Sequence, residues 1–545
     1  MAGSAPTAST STGAGASSPV AMNATAGATI ASQIDTAGIK RGGSVVQAGT
    51  SDIQTFNPVL SHDTTSNIIN DLVFDPLVST DPDTLEAKPR LAKKWDIAPD
   101  GKTYTFSLQE GVKWHDGMPF TADDVKLTYD LLMNTKSGTT RASGLNDHIA
   151  SVEVKDPLTV VFTLKDVIAS FLVNDMYSIV PKHILGLLKP EEVPTSDFSI
   201  GKPVGTGPFK MQSYKQGDNV TLAGNRNYFR GPTALDNYVY KIVPDSTVAF
   251  QQLKTGEVDI AGVRAELYDE AKKQTNFGTV AFDTFSYVLF VFNVDPTKTM
   301  LFQDVRVRQA LCYAVDREGI VQKVRNGLST IGVGTQPVRS YAYQPDKITT
   351  KYGYDVKKAN QLLDDAGWIR GKDGVRAKDG KRLSFILRTF TDKTGQDYMG
   401  VFQENWKDIG VEMTPQYEDF SVFVNRIAKT HDFEMFYEGF AFNSDPDQTA
   451  RWSSKQYPTG LNYGGYKNDK VDLLLDQGTH TLDREKRTQI YVDIQNQIAA
   501  DCPALVTDFP KTLTGVNKRL KNYIPNAVFT ASSWDAYQWY VTDGK

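Results

Sequence analysis

Six histidines, two cysteines and 64 acidic side chains are the groups from which this chain would have to build hydrolytic, redox or metal chemistry. His62, His115, His148, His183, His431 and His480 are scattered, without the spacing that sets two imidazoles on one helical face to hold zinc. No H-E-x-x-H, C-x-x-C, G-x-S-x-G elbow, phosphate-binding G-x-x-x-x-G-K-[ST] loop or G-x-G-x-x-G occurs. Asp445 and Asp447 in SDPDQ suggest a calcium loop. They lack the glycine and distal glutamate of an EF-hand, so a solvated or capping turn is expected. Cys312 lies in the apolar run ALCYAVD as core filling, and Cys502 precedes a proline; two cysteines make no disulfide framework. No catalytic residue, metal or cofactor is expected. Binding chemistry is better represented. Phe436, Tyr437, Phe440, Phe442 and Trp452 crowd one short stretch, where their rings could stack on apolar or sugar faces. Alternate members read equally well as strand core.

The elements that would position these groups begin with the stretch Leu91 to Lys126. Asp100-Gly101 is a turn dipeptide. Tyr104, Phe106 and Leu108 then alternate with polar residues, the period of a half-buried strand. Gly111 stops the strand, Asp116-Gly117 makes a second turn, and Thr121 can cap a helix whose first turn holds Asp123 and Asp124. A second hairpin is expected around Asp156-Pro157, and Gly205 and Gly207 permit a tight backbone path. Helices are expected over Ile68 to Val78, in STVAFQQLKT ending at Gly256, in VRVRQALCYAVDREGIVQKV, in VKKANQLLDDAGW and in MGVFQENWKDIG. FSYVLFVFNVDP and LSFILRTF read as strands, and strand-rich sequence returns from about Ala504.

With 545 residues the chain exceeds a single core, so two or three domains are expected. Its 40% hydrophobic, 23% charged and 11% aromatic content is that of a globular protein. A net charge of −5 gives no basic face for nucleic acid. No apolar run approaches the ~18 residues needed to cross a membrane. Residues 1–41 are dominated by Ala, Gly, Ser and Thr, too poor in apolar side chains to offset their ordering entropy, and read as a disordered tether. They contain no basic region followed by an apolar one, so no intact signal peptide is expected there.

The hairpin-and-helix block closely resembles the signature of the peptide/nickel family of extracytoplasmic solute-binding proteins, the capture subunits of ABC importers. PVGTGPF, LKTGEVDI, FQDVRVRQALCYAVDRE, YDVKKANQLLDDAGW and DREKRTQIYVDIQNQIAADCPAL follow in the family's order. The resemblance implies an α/β fold: a large, class II-like, two-lobed periplasmic-binding-protein clamshell. Lobe one would comprise residues 42–285 and 506–545, with an inserted subdomain near 81–185, and lobe two 286–505. The hinge would lie near Phe290 and Val506. It also implies capture of a peptide or peptide-like solute for a membrane permease, by a monomer in the periplasm or another extracytoplasmic space. The alternatives within the family are an oligosaccharide, an opine or a metal chelate; outside it, a secreted hydrolase.

The same resemblance nominates three solute-contacting loops: His62 and Asn67 after the first strand, Met176 and Tyr177 before Pro181, and Phe440, Phe442, Asn443 and Trp452 around the D-P-D stretch. Dipeptide-binding relatives place an aspartate for the peptide ammonium just before that stretch, where this chain has Phe442 or Asn443. Their arginine for the peptide carboxylate falls on Thr389, beside Arg388. A charged terminus buried without its partner is costly, so a free dipeptide is disfavoured.

Overall fold

The computed structural model describes residues 38–525 and 535–543. Residues 1–37, most of the expected tether, lie outside them. The chain enters through β1 (Ser44–Gly49) and α1 (Thr64–Val73). Asp63 caps α1 by accepting a hydrogen bond from the Ser66 amide at 2.8 Å, so the helix starts before the expected Ile68 and stops at Val73. The hairpin around Asp100-Gly101 forms β2 (Ala92–Ile97) and β3 (Thr103–Leu108), and Tyr104, Phe106 and Leu108 are all buried. In α2 (Ala122–Leu132) the Asp124 carboxylate accepts the Thr121 amide at 2.8 Å, which satisfies an orphan donor of the first turn. β4 (Ile149–Asp156) and β5 (Thr159–Leu164) complete a four-stranded sheet in the order β2-β3-β5-β4. Phe162 on β5 meets Tyr129 of α2 edge to face at 4.7 Å.

The first lobe continues with β6 (Phe209–Lys215), β7 (Asn219–Gly224), β8 (Asn237–Ile242), α3 (Ser246–Thr255), β9 (Ile260–Gly262) and β10 (Phe277–Asp283). The second holds β11 (Ser286–Phe292), α4 (Val305–Tyr313), α5 (Val356–Asp365), β12 (Ser384–Phe390), α6 (Lys393–Asp408), β13 (Glu412–Glu418), β14 (Met435–Ala441), α7 (Thr449–Trp452), α8 (Asp469–His480) and α9 (Arg484–Asp501). Two further elements differ from the expectation. The VRVRQAL helix ends at Tyr313, because Asp316 starts a fresh turn by accepting the Gly319 amide at 2.8 Å. α6 begins at Lys393, because Asp392 caps it through the Gly395 amide at 2.8 Å.

β15 (Ala504–Asn517) joins the lobes. Its first part pairs with β11, its last part with β9 and β10, so the large sheet runs β13-β12-β14-β11-β15-β9-β1-β8-β7-β6. The register slips beside Val288 and Leu289, leaving Thr507 bulged between Val506 and Asp508. Tyr287 and Leu289 point to one core of the second lobe, Phe290 and Phe292 to the other, which accounts for the unbroken apolar run of this strand. Cys312 and Cys502, 190 residues apart, bring their sulfurs to 3.1 Å in the second of these cores. Nothing in their separate sequence contexts announces that meeting.

His115 ties the signature hairpin to the Gly205–Gly207 segment. The Gly205 amide donates to its Nδ1 at 3.2 Å, so the proton sits on Nε2, which donates to the Gly207 carbonyl at 3.0 Å. The glycines themselves are dictated by proximity: a Cβ on Gly205 would stand 1.8 Å from the Val73 carbonyl oxygen. Burial lowers the His115 pKa from 6.5 to about 4. Between those values the unfolded chain takes up a proton that the folded one refuses. Stability is therefore expected to fall as pH drops from about 6.5 towards 4, by on the order of 2–3 kcal/mol. Urea midpoints at neutral pH and near pH 4 check this: His115→Gln should lose stability at neutral pH yet show a shallower acid slope. An unchanged slope would remove His115 from the account.

Candidate solute site between the lobes

Both lobes contribute walls to a cavity of about 310 Å³. Pro76, the short strand Val78–Thr80, Arg141 and residues Val173, Asn174, Met176 and Tyr177 line it from the first lobe. Phe442, Asn443 and Ser444 line it from the second, and Phe285 lines it at the junction of the two. Its volume suits a small organic molecule, and its mix of rings, amides, hydroxyls and one guanidinium is that of a recognition site. Among the described residues lining it stand no histidine, cysteine or carboxylate.

Arg141 organises the first wall. Its guanidinium donates to the carbonyls of Pro58 at 3.3 Å and Val59 at 2.9 Å and also to that of Ser61. It lies 4.8 Å from the centre of the Tyr177 ring, a cation–π contact that fixes the ring at the cavity. Burial pulls the arginine's pKa down and pushes that of the Tyr177 hydroxyl up.

The second wall is a turn held from behind. β14 ends at Ala441, and Phe442 to Ser444 lead into Asp445. Asp445 is buried and gripped by Arg487 of α9, with Nη1–Oδ2 at 2.5 Å and Nη2–Oδ1 at 2.8 Å. Asp445 Oδ1 accepts the Asp447 amide at 2.9 Å, and Asp447 accepts the Thr449 amide at 2.9 Å. The SDPDQ carboxylates thus serve an ion pair and a cap: the turn caps as expected, but Asp445 is not solvated, because Arg487 holds it inside.

The lobes also meet at a rim. Arg484 donates to the Thr84 carbonyl at 2.7 Å and approaches Glu86 at 3.8 Å. The Ala169 amide donates to the Thr479 carbonyl at 2.9 Å, and Arg339 donates to the Pro82 carbonyl. Leu85 packs with Phe285, and Tyr341 and Phe442 pack against that pair. These contacts exist only while the lobes are together, so they favour closure without touching a solute. Arg484→Ala is expected to change unfolding stability by less than ~1 kcal/mol, since the pair is exposed. It should weaken solute binding roughly two- to fivefold by lowering the closed population. Calorimetric titration beside urea denaturation checks this; equal affinity would show that the rim does not bias closure.

Of the residues nominated from sequence, the structure gathers Met176, Tyr177, Phe442 and Asn443 at the cavity. His62 is exposed, with Nδ1 3.2 Å from its neighbour Leu60's carbonyl. Asn67 accepts the Ser61 hydroxyl at 2.5 Å. Arg388 is engaged by Glu418 at 2.9 Å, and Thr389 on the opposite strand face is wholly buried. Phe440 stacks under the Arg451 guanidinium at 3.5 Å. Trp452 is core, its Nε1 donating to Gln448 at 3.0 Å. None of these six lines the cavity. Arg141, Phe285 and Val78–Thr80 were missed. Arg141 stands in a polar loop without periodicity, and only the fold carries it to Tyr177.

Comparison with known proteins follows this geometry. Residues 86–460 match the profile of the bacterial extracellular solute-binding proteins, family 5, middle section. The chain is 34% identical over 489 residues to the oligopeptide-binding protein AppA of Bacillus subtilis, covering 89% of both chains. The structure of AppA from Bacillus subtilis in complex with a nonapeptide superposes with a TM-score of 0.74 at 33% identity, covering 92% of this chain and 99% of that one. NikZ from Campylobacter jejuni in complex with Ni(L-His) gives 0.75 at 30% identity, covering 91% and 99%. With likeness running through most of its length, the chain belongs to the bacterial extracellular solute-binding proteins of family 5.

Proposed function

We propose that this protein captures a peptide or peptide-like organic solute outside the cytoplasm, closes on it, and delivers it to the membrane permease of an ABC importer. The observation that carries this is the cavity walled by both lobes, with Arg141 and Tyr177 on one side and Phe442 to Ser444 on the other. A solute there contacts both lobes only when they are together, so its binding free energy stabilises the closed form that a permease can recognise. The similarity to a peptide-bound AppA supports a peptide. The turn between β10 and β11 and the bulged middle of β15 are where we place the hinge, with lobe one on residues 42–285 and 506–545 and lobe two on 286–505. The protein acts as a monomer and leaves its solute chemically unchanged.

A second reading, an opine or an anionic metal chelate, is favoured by one feature: the lining contains an arginine and no carboxylate. Native mass spectrometry of the purified protein, followed by melting-temperature screens with peptides, opines, oligosaccharides and nickel–histidine, tests both. Peptide retention and a peptide-induced rise in melting temperature support the first reading. A rise confined to opines or chelates replaces it with the second. A solute that is consumed overturns both.

A further inference from the structure

Behind the Phe442 ring lies a cation that the protein itself does not neutralise. Arg451 is 8% exposed. Its Nε has no hydrogen-bond partner, and no ion pair reaches its guanidinium among the described residues. Aromatic faces surround it: Phe440 at 3.5 Å, Phe442 at 5.9 Å and Tyr463 at 5.9 Å from the guanidinium carbon. Phe442 also tilts onto Tyr287, ring centres 4.5 Å apart, and the buried Tyr287 hydroxyl is likewise unpaired. The carboxyl group whose field reaches Arg451 is that of Glu438, on the same strand face as Phe440, and it accepts its own neighbour's amide, Gly439 N, at 2.8 Å. Burial raises the Glu438 pKa to about 7 while Arg451 pulls it down, and no ion pair forms between the two. Rings give a guanidinium part of what water would, but not the in-plane acceptors that its donors require.

The geometry points to Arg451, with the Tyr287 hydroxyl beside it, as the receptor for an anionic group of the solute, reached past the half-buried Phe442 ring at the cavity wall. The inference rests on the capture function proposed above and narrows its solute to one carrying a carboxylate or similar oxyanion. A planar guanidinium presents paired donors that match a carboxylate. Held in a dry aromatic setting, such a pair discriminates by about tenfold to hundredfold against a neutral isostere. Arg451 is thereby a specificity-determining residue, one layer behind the wall that sequence comparison of the D-P-D turn would inspect.

The test uses the full chain stripped of solute by reversible unfolding. Arg451→Met removes an uncompensated buried cation, so its melting temperature without solute is expected to exceed that of the parent; a structural pairing with Glu438 would instead make it melt lower. Sodium propionate, compared with sodium chloride at equal ionic strength, should raise the parent's melting temperature and leave Arg451→Met unmoved, with Arg451→Lys intermediate. A tetrapeptide library prepared as free acids and as C-terminal amides should be retained by the parent as acids, and without preference by Arg451→Met. A lower melting temperature for Arg451→Met, or equal propionate responses, overturns the assignment. If propionate discriminates but neither peptide form is retained, the anion site stands and the peptide reading fails.

Discussion

Replacing Arg487 by leucine should remove about 3–5 kcal/mol of stability from the second lobe, because it leaves Asp445 buried without its partner. The side chains of both residues are only 4% exposed. Arg487 also donates to the Gly478 carbonyl at 2.7 Å and to the hydroxyls of Tyr341 at 2.8 Å and Tyr491 at 3.4 Å, so one substitution takes a donor from four acceptor groups. The loss reaches function because Asp445 anchors the turn whose preceding residues, Phe442 to Ser444, form the second wall of the cavity. Solute-induced rises in melting temperature should shrink in step. A double-mutant cycle gives the check. Asp445→Leu with Arg487→Leu removes both charges, and its destabilisation should be smaller than that of either single change. Strict additivity in urea denaturation would mean that the pair is not coupled, and the turn would need another anchor.

Trp406→Ala should have an effect of similar size from a different cause. The indole is wholly buried on α6, with Phe402 at 5.4 Å, Phe290 at 5.5 Å and Phe385 at 5.6 Å between ring centres. Its Nε1 donates to the Leu311 carbonyl of α4 at 2.9 Å. Truncation leaves a cavity costing about 3–5 kcal/mol, with an unsatisfied carbonyl on top. Trp406→Phe keeps most of the packing and loses the hydrogen bond, so it should lose only about 1–2 kcal/mol. Circular dichroism during denaturation separates the two variants. Equal losses would show that the hydrogen bond, not the volume, dominates.

These two sites illustrate how differently the fold and the solute site could be read in advance. Phe290 and Trp406 belong to patterns that advertise burial: an unbroken apolar strand and a helix with regular apolar spacing. Burial follows from such patterns whatever the partner. Arg487, in contrast, lies in a charged helix start, and Asp445 in a turn that resembles many solvated turns. Their pairing across 42 residues depends on how α9 returns against β14, which no local window contains. The boundaries of helices failed for a smaller reason. At Asp63 and Asp392 a side-chain cap several residues before the apolar pattern, and at Asp316 one inside it, set where a helix began.

Cys312 and Cys502 carry the same lesson into the core. Cys312 was read as core filling and is buried, and Cys502 was noted only as preceding a proline; their contact at 3.1 Å is a property of α4 lying against the end of α9.

By itself, the sequence determined the local elements, the α/β class and, through ordered blocks of residues, the family. Those are written in turn dipeptides, caps and periodicities that act over a few residues, where the backbone has few alternatives. Only the tertiary structure decided which side chains face the solute. Arg141 met Tyr177, Thr389 went inside, Arg388 was taken by Glu418, and Arg451 was left without a counter-charge. The physical reason is that a site between two lobes is assembled from segments far apart in the chain. Rotating one strand by a single residue, or pairing one arginine with a different acid, redirects a side chain from solute to core without altering any local pattern.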